Sequence, residues 1–184
     1  MNIRKYLGLV FSLAIAGVGM QVSFVLAADT SEPNDVSDPA AGLTQVGEAR
    51  LSVFLFDVYD SRLFTADGTY ERGTRPLVLD IEYLRKVSGA DLLQRTQKEW
   101  ASQNLSHPKQ LDWIESLRTF FPDVTDGDRL TLRVNEDQVS VFYLNEQPIG
   151  SIDDPLFAEH FTAIWLSPDT SRPEIRAALL GKAS

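Results

Sequence analysis

Few side chains in this chain of 184 residues are of a type and spacing that could do chemistry. There are two histidines, His107 and His160, and no cysteine. Neither histidine has a second His or a Cys at a metal-ligand interval. The spacing places His107, beside Pro108, in a surface loop and His160 on a helix at the edge of the core. A hydrolase triad needs a nucleophile and a base oriented by an acid. No G-x-S-x-G elbow is present, and Gly150-Ser151 lacks a following glycine. Asp123, Asp126 and Asp128, in PDVTDGD, look like part of a calcium loop without its spacing or its terminal Glu. A tight turn feeding the next strand is the simpler reading. No catalytic residue, metal ligand or cofactor is assigned on these grounds.

Arg50 is the remaining polar candidate. If strand alternation runs from Arg50 through Ser52, Phe54 and Phe56, these residues share one face. Where helices cover that face, a guanidinium at its end either pairs with an acid or anchors an anionic ligand. The residues alone leave both open. The aromatics Trp100, Trp113, Phe120, Phe121, Phe157, Phe161 and Trp165 recur at helical spacing. Most belong in a core, and a minority could line a pocket.

The elements that must position these residues come in blocks. Residues 47–59 are apolar on both alternating sets, the pattern of a strand covered on both faces. Residues 66–68, Ala-Asp-Gly, signal a turn. Residues 76–84 alternate more cleanly, with Leu77, Leu79, Ile81 and Tyr83 on one face. Asp80 and Glu82 mark the other face as wet. Ser88 with Asp91 caps a helix over 89–103, and a second helix runs over 109–121 until Pro122 stops it. Strands over 129–135 and 139–145 form a hairpin, and a short strand over 149–152 follows. Asp154 and Pro155 open a third helix, and Ser171 with Glu174 reads as a capping box for a fourth. Hairpins and segregated helices make the class α+β, an antiparallel sheet with helices on one face.

The chain opens with Arg4 and Lys5, an apolar run over 6–26, and small residues at Val25 and Ala27. That layout is a secretion signal, and cleavage after Ala27 is expected. An uncleaved anchor is the rival reading, although no basic stop follows the run. Residues 28–43 hold Pro, Ser, Asp and Asn with few large apolar side chains, the composition of a flexible tether. Residues 44–184 form one domain. The net charge of −9 becomes −11 once Arg4 and Lys5 are removed with the signal. So acidic a domain repels nucleic acid and anionic membrane surfaces, so neither nucleic acid nor membrane is expected as a partner after cleavage.

Several blocks carry a family resemblance: VGEARLSVFLFDVYDSRLF, PLVLDIEYLRKVSGADLLQRT, FPDVTDGDRLTLRV, IGSIDDPLFAEHFTAIWLSPDTS and RAALLG. Together they resemble the bacterial, exported branch of the chalcone isomerase-like proteins, from about Gly47 to Gly181. The resemblance implies an open-faced β-sandwich, a large antiparallel sheet with a helical layer on one face. It also implies a periplasmic location. Plant members cyclise chalcones; others are non-catalytic and hold fatty acids in the cleft between sheet and helices. The plant enzymes use an arginine before the first long strand, a threonine within it, and a tyrosine and an asparagine on a later helix. Matching motifs places Phe54 at the threonine, Leu92 at the tyrosine, Glu99 at the asparagine, and the arginine near Gly42. Phe54 and Leu92 cannot hold an oxyanion, and an ionised Glu99 opposes one.

The implied reading is therefore a non-catalytic binder of an elongated apolar ligand such as a fatty acid. Arg50 faces the ligand's acid group in that reading, and Tyr83 is a second contact. The alternatives are an isomerase acting on a chalcone-like aromatic ketone by positioning, and a partner-binding protein whose cleft is filled by its own side chains.

Overall fold

The computed structural model describes residues 38–182. The expected signal and most of the expected tether lie outside them. Six strands, β1 (Thr44–Val53), β2 (Phe56–Thr65), β3 (Leu77–Tyr83), β4 (Arg129–Val134), β5 (Ser140–Leu144) and β6 (Gln147–Ile152), form one sheet. Their spatial order is their chain order, and every neighbouring pair is antiparallel. Helices α1 (Gly89–Ser102) and α2 (Gln110–Arg118) fill the β3–β4 connection, and α3 (Pro155–Leu166) and α4 (Pro173–Leu179) follow β6. All four helices pack on one face, as the segregated blocks require. Leu63, Leu79, Leu132 and Phe142 from the sheet meet Trp100, Leu117, Phe157 and Phe161 from the helices in one buried core.

Local chemistry sets the ends of these elements. Ser88 accepts from Asp91 N at 3.1 Å and donates to its carboxylate at 2.6 Å, closing the start of α1. Asp154 caps α3 through Leu156 N with Pro155 at the first helical position. The other oxygen of the same carboxylate takes Lys109 Nζ at 2.8 Å and Trp113 Nε1 at 3.2 Å, binding α2 to α3. Asn145 and Glu146 both have positive φ, the turn that suits the right-handed twist of the β5–β6 hairpin. Helix α4 lies so close to β1 that a Cβ on Gly47 would stand 2.3 Å from the Ala178 carbonyl oxygen.

Four sequence expectations change. Residues 47–59 are not one strand: β1 ends at Val53 and β2 begins at Phe56, with Phe54-Leu55 as the turn. Because both alternating sets are largely apolar, periodicity does not reveal the reversal, and it also mis-sets the faces. Ala49 and Leu51 are buried on the helix side, and Arg50 and Ser52 point away. The outer face of β3 is not wet either. Val78 is fully buried and Asp80 is 2% exposed. Asp80 is held by Arg62 at 2.9 Å, Arg129 at 2.6 Å and the Thr131 hydroxyl at 2.7 Å. A carboxylate with that many donors tolerates burial.

Within the expected tether, residues 38–43 form turns closed by Ala41 N to Asp38 O and Leu43 N to Ala40 O. Arg133, the cross-strand partner of Val78, donates to the Pro39 carbonyl and fastens this turn to the outer face. Ser171 does not cap α4, whose first residues have no side-chain cap; its hydroxyl is taken by Glu99. The helix starts one residue later than the pattern implies, with Arg172 at its N-cap position, so Ser171 is left to the tertiary contact.

Candidate functional site

Between the inner face of the sheet and the helices lies a cavity of about 440 Å³. That is within the roughly 300–1,000 Å³ usual for small-molecule sites. Its floor is Leu51, Val58, Leu79, Ile81, Leu130 and Leu132, from β1 to β4, with Phe142 from β5 at one end. Leu92 and Thr96 of α1, and Phe161, Ile164 and Trp165 of α3, close it above. Strand alternation delivers one apolar residue in two from each strand, which makes the floor almost wholly hydrocarbon. At the rim α1 supplies Asp91, Gln94, Arg95, Lys98 and Glu99, and Arg172 stands before α4.

Two tyrosines interrupt the apolar lining. Tyr59 accepts from Trp165 Nε1 at 2.9 Å, which leaves its own proton free to donate. Among the described residues the Tyr83 hydroxyl has no hydrogen-bond partner, although the residue is only 5% exposed. The two rings meet edge to face, 6.1 Å apart. Burial pushes the Tyr59 hydroxyl up to about 12, against the opposing pull of the Trp165 bond. Burial raises Tyr83 further, with Tyr59 adding to it. Both stay protonated at any physiological pH and remain donors.

The buried Glu99 carboxylate takes Arg95 Nε at 3.1 Å on one oxygen and Ser171 at 2.6 Å on the other. Among the described residues no His or Ser lines the cavity. Its chemistry is apolar enclosure with two hydroxyl donors inside and cations at the rim.

Residues 33–181 match the family model described as chalcone isomerase-like. The chain belongs to the chalcone isomerase-like family. An uncharacterized protein of Haemophilus influenzae is 29% identical to this family member over 144 residues, 78% of this chain and 71% of the relative. Among solved structures, an Arabidopsis thaliana fatty-acid binding protein superposes with a TM-score of 0.58. That match is 11% identical and covers 76% of this chain and 87% of the plant protein, so it speaks for the fold. The six-stranded antiparallel sheet with one helical layer is thus the chalcone isomerase-like fold.

In this chalcone isomerase-like protein the five sequence-derived site residues divide. Tyr83, Leu92 and Glu99 line the cavity. Arg50 and Phe54 do not. Arg50 lies on the far face of β1 with Nε and Nη2 each 2.7 Å from the Asp60 carboxylate and Nη1 3.1 Å from Asp57. Of its two open roles, pairing is the one realised. Phe54 is at the apex of the β1–β2 turn, 95% exposed, so it cannot stand where a strand threonine would.

Sequence reasoning missed Tyr59, Arg95 and Arg172, while Phe161 and Trp165 are the pocket-lining minority of the helical aromatics. Arg95 carried a signal, since Leu92, Arg95 and Glu99 share one helix face at i, i+3 and i+7. Arg172 carried none, because its place depends on how the α3–α4 connection crosses the rim.

His107 and His160, distant in sequence, come within 5.5 Å ring to ring, and His107 stacks on Trp113 at 4.8 Å. Among the described residues no cluster has the makings of a metal site.

Proposed function

We propose that this protein is a non-catalytic carrier that holds an elongated apolar ligand with an acid head, a fatty acid in the simplest case. The carrying observation is the pair of tyrosine hydroxyls with protons to give inside an apolar cavity of about 440 Å³. A hydroxyl with its proton free inside an apolar cavity is a donor in search of an acceptor, and a carboxylate supplies two acceptor oxygens. Arg95, Lys98 and Arg172 at the rim outnumber Asp91 and Glu99, which favours an anion entering head first or resting head outermost. The fold shared with a plant fatty-acid binding protein agrees with this reading. The protein acts after export, in the periplasm, with its leader removed after Ala27.

Native mass spectrometry of the protein purified without detergent tests the carrier role. A solvent-extractable acyl mass, or saturable one-to-one uptake of added palmitate, is the expected result. An empty protein that also fails to take up palmitate would sink the proposal, as would turnover of a chalcone above the buffer rate. The mass of the protein recovered from the periplasm reads the cleavage site directly.

A further inference from the structure

The tip of the β1–β2 hairpin is unusual in two independent ways. Phe54 is 95% exposed, Leu55 94% and Phe56 66%, so three consecutive large apolar side chains project into solvent. Phe54 also has φ of 56°, the left-handed region that two-residue hairpin turns normally give to Gly or Asn. A bulky residue pays a steric penalty there, and exposure adds a hydration penalty. Gly-Asn at the apex would relieve both. A chain that keeps strain and exposed hydrocarbon at one place is serving something that the folded domain alone does not need.

We propose that this tip is a lipid-insertion element. Phe54, Leu55 and Phe56 enter the apolar zone of a bilayer while Arg85 and Lys86 meet the phosphates. Both basic residues are exposed, and the Arg85 guanidinium carbon stands 5.9 Å from the centre of the Phe56 ring. Leu84 N donates to Val58 O at 2.9 Å, which fixes the basic pair beside the start of β2. The acid next to the tip in sequence, Asp57, is occupied by Arg50 at 3.1 Å and Ser52 at 2.6 Å. The tip is therefore locally cationic on a chain whose net charge is −9. That net charge still disfavours strongly anionic surfaces at long range, so the fitting partner is a largely zwitterionic bilayer.

A bilayer fits better than a protein. Three side chains on a narrow apex offer far less than the roughly 800 Å² per partner of a stable protein interface. Transfer into hydrocarbon needs no shape-matched surface, only apolar area and cations at phosphate depth. The location gives the device a purpose. Val53 and Val58 bracket the tip and Val87 follows the basic pair, and all three line the cavity. Insertion brings the cavity to the membrane surface, where an acyl ligand exchanges without crossing water. This last step rests on the carrier reading; insertion itself does not.

The chain has no cysteine, so Leu55→Cys accepts a single environment-sensitive fluorophore. Leu111→Cys, at another exposed leucine, on α2, is the reference. On adding phosphatidylcholine–phosphatidylethanolamine vesicles to the protein recovered after export, tip-label emission should rise about threefold and shift blue, well beyond the change at the reference. No change at the tip, or equal change at both positions, overturns the proposal. So does the same change on raising protein concentration without vesicles, which would mean that the tip docks on a second copy.

A second arm uses Phe54→Gly with Leu55→Asn, residues suited to the turn, so folding is not at risk. Affinity for a fluorescent fatty acid in solution should stay within about twofold, while transfer to acceptor vesicles slows about fivefold and stops rising with vesicle concentration. Unchanged transfer would overturn the membrane role. Failure of either protein to bind the probe in solution would count against the carrier reading alone, and the label at position 55 still decides insertion.

Discussion

Ser171 donates its hydroxyl to the Glu99 carboxylate at 2.6 Å, across 72 residues of chain. With Arg95 on the other oxygen at 3.1 Å, the carboxylate joins α1 to the segment that leads into α4 and crosses the cavity rim. Its negative charge is thereby compensated locally. A ligand acid at the rim meets Arg172 and Lys98 without Glu99 opposing it unpaired, and Asp91, among the described residues hydrogen-bonded only by Ser88, is the remaining rim acid. This contact makes Glu99 part of the cavity's frame. The expectation that its charge obstructs an anion holds only for an unpaired Glu.

Tyr83→Phe removes the hydroxyl that lacks a partner and keeps the ring. Affinity for a fatty acid should fall roughly 10-fold or more, since a bond to a charged acceptor contributes about 1.5–3 kcal/mol. The melting temperature of the unliganded protein should be unchanged or slightly higher. A displacement titration alongside a thermal melt reads both. Unchanged affinity would place the ligand head elsewhere, with Arg95 and Arg172 as the next variants to try.

Arg50→Ala should leave fatty-acid affinity within about twofold and change stability little, as is usual for a solvent-exposed ion pair. Arg50 faces away from the cavity and is half exposed, paired with Asp57 and Asp60. Urea unfolding and the same titration decide it. A large loss of affinity at constant stability would restore Arg50 as a ligand contact.

Asp80→Ala should be the most damaging outer-face change. It leaves Arg62 and Arg129 facing each other across β3 without their shared acceptor. Removing one partner of a buried charge network costs about 3–5 kcal/mol, and the one-third exposure of both arginines puts this case at the lower end. Asp80→Asn, which keeps an acceptor oxygen, should cost less. Chemical denaturation of the two variants orders them.

Stability should fall on the acid side, with onset near pH 4. Lys109 holds the Asp154 carboxyl below its ordinary value, and Arg50 does the same for Asp60. A depressed folded value means that stabilisation is complete above the unfolded carboxylate value of about 3.9 and is lost as pH falls through the folded one. Asp154→Asn should therefore lower the melting temperature at pH 7 and make the acid limb shallower. Melts from pH 7 to pH 3 on both proteins test the sign.

Local pattern alone determined most of the elements. Ser88 and Asp154 announce the starts of α1 and α3 by side-chain caps that need only neighbouring backbone. The turn ahead of β4 follows from PDVTDGD, where Asp128 accepts from Thr125 N at 2.7 Å. The inner face of β3, ending in the cavity residue Tyr83, follows from its alternation, and the family from blocks spread along the chain. Leu92 and Glu99 are reached through the family resemblance, by matching the start of α1 to the family's helix.

The tertiary structure decided what periodicity leaves degenerate. In residues 47–59 both alternating sets are largely apolar, so neither the turn at Phe54-Leu55 nor the outward direction of Arg50 is written in the pattern. Asp80 reads as a solvent residue until two arginines from neighbouring strands arrive around it. The cavity rim is assembled from Arg95 and Arg172, 77 positions apart by their numbers. Charge, partner and burial at such positions are set by long-range packing, and single-residue spacing carries no record of it.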